Sequence, residues 1–407
     1  MKNKLAWGLV ILLMAAAVTA QEMPHSVAEA QKLESKDALP ATPLYSNPTL
    51  GTSRPGDLLA QEPVTSYVLP AGSAVRIAYH SRDAAGADVP ATAAVLIPAG
   101  KAPPGGWPVI AWAHGTSGVA RQCAPSLMKD VYYGDEGLKE MLNAGFAVVA
   151  TDYHGLGSPG VHQWVNKTAQ ARDVIYSIPA ARKAVPALGR RWVADGHSQG
   201  GLAAWGVAEL ESSLHDPGFL GAISVAGAVR LDHFLELMDQ TQGGLTMYAA
   251  YMGWAIHASY PDFKPEDLLT PRAMQSYGQV TTQGCWYYGY ATFADMPKKG
   301  VLNPNWRQNT YVQRFAKDNQ EGDVPISKPL LVLAGEADLS IPIAGVREVV
   351  TRACGKGTAL QFKSYPGLDH DPTMINSTPD QLAWIRDRFA GKAAPSDCPR
   401  SKPSGAN

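Results

Sequence analysis

Short apolar runs of strand length alternate with stretches of helical spacing along most of this chain. Residues 74–80 and 91–97 are strand-like and flank Asp83-Ala84-Ala85-Gly86, a turn signal that predicts a hairpin. Residues 108–113 and 146–150 read as buried strands, with a helix predicted over 135–144 and ended by Gly145. A helix over 168–185, distorted at Pro179, is followed by a short strand at Val193-Ala194. A helix over 202–214 and a strand over 221–226 continue the pattern, and strands return at 329–334 and 360–365. Strands that are apolar along their whole length are covered on both faces. Their alternation with helices predicts an α/β fold, a mainly parallel sheet between two helical layers.

The alternation stops near Val229. Residues 231–325 are helix-like and rich in aromatics, among them Tyr248, Tyr251, Trp254, Tyr260, Trp286, Tyr287, Tyr288 and Tyr290. This predicts a cap inserted between two strands of one core made of 63–230 and 326–407. Substrate contact through the cap is expected, and a bulky subdomain with a structural role only is the alternative. Residues 21–62 are polar, contain Pro and lack periodicity, which predicts an irregular arm. Lys2 and Lys4, an apolar run over 5–18 and Val18-Thr19-Ala20 predict a secretory signal peptide over 1–20. No Cys stands directly after that run, and no other segment is long and apolar enough to span a bilayer. Low complexity is confined to 391–407.

At 407 residues the chain can bury a large core, and a net charge of −1 gives it no basic surface for nucleic acid. Oligomeric state is not legible. Export changes the meaning of the four cysteines, Cys123, Cys285, Cys354 and Cys398. An even count in an oxidising compartment predicts two disulfides, and the wide spacing argues against zinc. Three pairings are possible. Cys123–Cys285, tying the insertion to the core, and Cys354–Cys398, pinning the tail, are favoured.

The chemistry is concentrated at Trp192-Val193-Ala194-Asp195-Gly196-His197-Ser198-Gln199-Gly200-Gly201. A strand, Gly-x-Ser-x-Gly and a helix in that order form the nucleophile elbow of an α/β-hydrolase. Glycine is needed at 196 and 200 because side chains there would collide in the turn. An activated Ser198 needs a base and an orienting acid, which in this fold follow as acid and then His. Asp338 lies after the strand at 329–334, with Glu336 as the second choice of acid. His370 lies in a loop after the last strand and is the candidate base. Asp369 and Asp371 flank it and are expected to point elsewhere, and His197 is expected to pack under the elbow. The oxyanion hole is expected from the N–H of Gln199 and of Thr116, with Gly115 as the alternative. His114, Tyr153 and His154 are expected to line the substrate pocket.

The segments Ala113-His114-Gly115-Thr116, Thr151-Asp152-Tyr153-His154-Gly155-Leu156-Gly157, the elbow, Gly335-Glu336-Ala337-Asp338 and Leu368-Asp369-His370 together resemble the secretory lipase family of α/β-hydrolases. The resemblance covers about 65–390 and extends to two disulfides of the favoured spacing. It implies a secreted or periplasmic carboxylic ester hydrolase that acts on small-molecule, lipid or polymer esters through an acyl-enzyme, with no cofactor or metal. A cell-wall, carbohydrate or phenolic esterase, a serine peptidase of the same fold, and a non-catalytic secreted binding protein are the alternatives.

Overall fold

The computed structural model describes residues 23–46, 48–132, 137–227 and 230–399. The signal peptide expected over 1–20 lies outside them. Nine strands form one sheet: β1 (Leu58–Val64), β2 (Ala71–Arg82), β3 (Asp88–Pro98), β4 (Trp107–Ala113), β5 (Ala147–Thr151), β6 (Leu188–His197), β7 (Phe219–Val225), β8 (Leu330–Gly335) and β9 (Leu360–Tyr365). Their order is β1-β2-β3-β5-β4-β6-β7-β8-β9. The pairs among β1, β2, β3 and β5 are antiparallel, and those from β5 through β4 to β9 are parallel. The chain leaves β4 to one side for β5 and returns to its other side for β6. In such sheets this reversal opens a crevice at the strands' carboxyl ends.

The helices are α1 (Val27–Asp37), α2 (Pro43–Ser46), α3 (Leu138–Asn143), α4 (Lys167–Ala184), α5 (Gln199–Leu214), α6 (Leu231–Gln240), α7 (Met247–Ser259), α8 (Pro271–Thr282), α9 (Trp286–Thr292), α10 (Thr310–Asp318), α11 (Ile343–Gly355) and α12 (His370–Phe389). Alternate residues of each central strand enter opposite layers, as a period of two requires. Val109, Ala111, Val149, Ala194 and Val332 pack with Leu202 and Trp205 of α5. Ile110, Trp112, Val148, Val193, Ile223 and Leu333 pack with Met141 of α3 and Ile385 of α12. Both faces are therefore dry, which is why these strands are apolar throughout.

Helices α6 to α10 stand between β7 and β8, over the stretch where the alternation stops. A disulfide and a buried ion pair are among the attachments that hold this block. The disulfide Cys123–Cys285 joins the start of α9 to the segment after β4, and Cys354–Cys398 ties the chain's last described stretch to α11, so both favoured pairings form. Behind α10, Lys167 Nζ donates to Glu209 Oε2 at 2.5 Å and to the Gln320 carbonyl at 2.6 Å. Glu209 also accepts from Gly322 N–H, and the Lys167 N–H donates to Asn319 Oδ1. The stem of the block is thus bonded to α4 and α5 through buried charge.

Two expectations need correction. Residues 21–62 are not an irregular arm but carry α1, α2 and edge strand β1. The signal was Ser26-Val27-Ala28-Glu29: Ser26 Oγ accepts from Glu29 N–H, a capping pattern at the start of α1. Glu34 of α1 then accepts N–H groups of Cys285 and Tyr288, capping α9 from another part of the chain. The other correction is at the carboxyl side. His370 does not sit in a loop but is the first residue of α12, a helix that contains Pro372 in its first turn and Pro379 inside it. Between these, the helix expected over 135–144 starts at Leu138, with 135–136 outside the described residues.

Lys167→Met leaves Glu209 and Glu321 buried without their cation and should cost about 3–5 kcal/mol. Burial already raises both carboxyls. In the variant they must stay charged or take up protons, and uptake is easier in acid. Urea unfolding should therefore show a larger loss at pH 8 than at pH 5. A loss under about 1 kcal/mol at both would contradict the role given to this lysine.

Candidate active site

Four connections at the carboxyl ends of parallel strands converge on one point. They follow β4, β6, β8 and β9. At the end of β6 the chain turns straight into α5, with Ser198 at the corner in a left-handed conformation, φ 56° and ψ −119°. A non-glycine residue is held there only when its surroundings force it. The flanking glycines provide that force. A Cβ on Gly196 would lie 2.3 Å from the Gly200 carbonyl oxygen, and one on Gly200 would lie 1.8 Å from that of Ala113. Ser198 N–H donates to the Val225 carbonyl at 2.9 Å, fixing the corner to β7.

Ser198 Oγ is 2.8 Å from His370 Nε2. His370 Nδ1 is 2.8 Å from Asp338 Oδ2. The other oxygen of Asp338 accepts the N–H groups of Ser340 and Ile341 at 2.8 and 2.7 Å, which locks the carboxylate. Asp369 caps α12 by accepting from His370 N–H and also accepts from Leu339 N–H, so it orients the histidine's backbone and the Asp338 loop together. Glu336 accepts from Ser364 Oγ and has no bond to His370. His197 is buried beneath, its ring centroid 4.8 Å from that of His370.

Burial alone would lower the pKa of His370. The hydrogen bond and charge of Asp338, with Asp371 and Asp369 behind, outweigh it and raise the pKa above 6.5. The imidazolium that would form on proton uptake from Ser198 is thereby favoured. His197, His370 and Asp371 bring donor atoms within 4.8 Å of one another, but both ring nitrogens of His370 are engaged by Ser198 and Asp338.

Gln199 is the first residue of α5, so its N–H belongs to the donors that a helix start leaves without a carbonyl partner. Thr116 lies across the same cavity, its carbonyl held by the Tyr132 hydroxyl at 3.0 Å. Gly115 packs under that hydroxyl, where a Cβ would lie 2.9 Å away.

The cavity at Ser198 measures about 20 Å³, room for one water-sized molecule and not for an acyl chain. Its walls are Trp164 and Val165 before α4, Leu231 and Phe234 of α6, Tyr248 of α7, and Ser340 and Ile341 beside Asp338. Of these, the sequence singled out only Tyr248, among the insertion's aromatics expected to contact substrate.

The three residues expected to line the pocket do not. His114 is buried, with ring nitrogens against the Gly115 and Asp152 carbonyls, and burial pushes its pKa down to about 4. Tyr153 is buried and donates to the His114 carbonyl. His154 is buried against Asp173 at 3.1 Å, and that carboxylate raises its pKa despite the opposing effect of burial. Neutral His114 donates to one of its two carbonyls, and the partners of all three residues lie within the protein, so none of the three is among the walls of this cavity.

Two outcomes test this geometry. Gly200→Ala forces a methyl group onto the Ala113 carbonyl and should cost at least about 4 kcal/mol in thermal unfolding, with loss of activity. A variant of wild-type stability would disprove the close approach. Second, neutral His370 is the form able to take a proton from Ser198. The acid limb of kcat/KM should have its midpoint above pH 6.5. Asp371→Asn, which removes one of the raising charges, should move that limb to lower pH. An unmoved limb would remove Asp371 from the electrostatics of the site.

The secretory lipase family model matches residues 130–397. Lipase 4 of Candida albicans is 27% identical over 285 residues, 65% of this chain and 60% of that protein. The chain thus matches about three-fifths of that curated relative's length. Lipase A of Candida antarctica in its closed state superposes with a TM-score of 0.75 at 19% identity, covering 91% of each chain. The rice cell wall degrading esterase LipA of Xanthomonas oryzae gives 0.69 at 18% identity, covering 83% of this chain and 99% of that one. These two likenesses establish the α/β-hydrolase fold. With a family model matched over more than half its length, this chain belongs to the secretory lipase family.

Proposed function

We propose that the protein is an exported carboxylic ester hydrolase in which Ser198, His370 and Asp338 are the catalytic triad. One observation carries this: a serine in a left-handed elbow is hydrogen-bonded at 2.8 Å to a histidine that is itself bonded at 2.8 Å to a buried aspartate. Membership of the secretory lipase family and the two disulfides support export.

Ser198 Oγ attacks the ester carbonyl carbon while His370 Nε2 takes the hydroxyl proton. Asp338 holds the proton on Nδ1 and stabilises the imidazolium. Negative charge gathers on the former carbonyl oxygen, where the N–H groups of Gln199 and Thr116 receive it, with the dipole of α5 behind them. His370 gives its proton to the leaving alkoxide oxygen, and the alcohol departs. Water then attacks the acyl-enzyme, its proton passes to His370, and Ser198 is released with the acid product.

We further propose that α6 to α10 act as a cap over the site. Leu231, Phe234 and Tyr248 from the first two of these helices supply part of the cavity wall. Together with Val165 and Ile341 they make it apolar, which suits an acyl chain better than a peptide or a sugar. An ester enters only when these side chains or their helices give way.

Hydrolysis of p-nitrophenyl esters from acetate to palmitate tests the function. The mature protein should hydrolyse them, and Ser198→Ala should lower kcat/KM by at least about 10⁴-fold. Phe234→Ala, which widens the apolar wall, should shift the preference toward longer chains. Hydrolysis that survives in Ser198→Ala would overturn the assignment. Cleavage confined to amide or acetyl-sugar substrates would redirect it.

A further inference from the structure

We infer that the side-chain hydroxyl of Thr116 is a third oxyanion donor, held in its donating orientation by the indole N–H of Trp164. The inference rests on the ester-hydrolase function proposed above.

Trp164 Nε1–H donates to Thr116 Oγ1 at 3.0 Å. Both residues are nearly inaccessible, 2% and 4% exposed, and both line the cavity that holds Ser198 and Gln199. An indole nitrogen only donates, so the hydroxyl is the acceptor in this bond and its own proton is left for another partner. Among the described residues no protein acceptor takes that proton. The Thr116 carbonyl is separately engaged by Tyr132, which fixes the backbone beneath the hydroxyl.

A buried O–H without an acceptor is unfavourable. The reaction provides an acceptor only when charge develops on the substrate oxygen. The hydroxyl therefore bonds the transition state more strongly than the ground state, the condition under which binding accelerates chemistry. Donation from Trp164 into the same oxygen polarises the O–H and strengthens what it donates. Thr116 keeps its proton throughout.

Trp164 is a positioning residue in this scheme, and it is itself held. Its ring stacks on Tyr248 with centroids 5.9 Å apart and planes 10° apart, and meets Tyr251 edge-on at 5.8 Å. Tyr248 in turn accepts from Trp286 Nε1–H at 2.7 Å. The aromatics of α7 and α9 thus orient a hydroxyl on the loop after β4.

The test uses p-nitrophenyl butyrate with Thr116→Val, Thr116→Ser and Trp164→Phe. Valine keeps the shape and the backbone N–H of residue 116 and removes only the hydroxyl. It should lower kcat about 100-fold with KM within about threefold, and serine should recover all but about fivefold of the loss. Trp164→Phe should lower kcat about 10-fold alone and have no further effect in the Thr116→Val background, because the bond it supports is already gone. Affinity for an alkylboronic acid, a tetrahedral analogue, should fall in step with kcat while affinity for butyrate stays level. Should valine prevent folding, the Thr116→Ala and Thr116→Ser pair carries the same comparison. Thr116→Val at a kcat within about threefold of wild type, or Trp164→Phe equally costly in both backgrounds, would overturn the inference. The underlying function fails separately, if Ser198→Ala retains hydrolysis or the wild type leaves every ester intact.

Discussion

The backbone of α5 is pressed against the end of β4 so closely that no side chain fits at the contact. A Cβ on Gly200 would sit 1.8 Å from the Ala113 carbonyl oxygen, and one on Gly201 would sit 2.6 Å from Gly227 Cα. The rest of the site depends on this constraint. It sets the helix start immediately behind the loop of Gly115 and Thr116, so that Gln199 at the start of α5 and Thr116 after β4 line one cavity. It also leaves Ser198 no relaxed conformation and holds its hydroxyl out from the corner. The outer strands β8 and β9 then deliver Asp338 and His370 from one side. The energetic cost of the strained corner is met by the dry, two-layered sheet, whose rigidity comes from close packing on both faces.

Much of this was legible because it is local. Gly196 and Gly200 are steric necessities within a five-residue turn. The order of serine, acid and histidine follows from where the strands end. The disulfide pairing was suggested by which parts of the chain needed holding, and both pairs form. The alternation of apolar runs gave the layers, since residues buried on both faces have no polar period to show.

What escaped the sequence depends on distant partners. Helix α1 is mostly polar and buries Ala30 alone, and it is held by Glu34 reaching the start of α9, some 250 positions away in the chain. His370 looked like a loop residue because Pro372 follows it, yet proline is tolerated in a helix's first turn. His114, Tyr153 and His154 looked like pocket residues because they sit in motifs next to glycine. Their polar atoms instead bond to Gly115, His114 and Asp173 inside the protein. The walls of the cavity at Ser198, among them Trp164, Phe234 and Tyr248, come from segments with no motif and meet only in the folded chain. Trp164 is a clear case: nothing in the sequence around it signals chemistry, yet its indole donates to the hydroxyl of Thr116 in the cavity of Ser198.

The most direct test of the central claim is labelling by an alkyl fluorophosphonate followed by peptide mass mapping, in the wild type and in His370→Ala. The hydroxyl oxygen of an activated serine displaces fluoride and forms a stable phosphonate ester. Labelling at Ser198 is expected to be stoichiometric in the wild type and nearly absent in His370→Ala, with the fold retained by circular dichroism. Label on another residue, or equal labelling of Ser198 without His370, would mean that the 2.8 Å bonds joining these groups do not activate the serine.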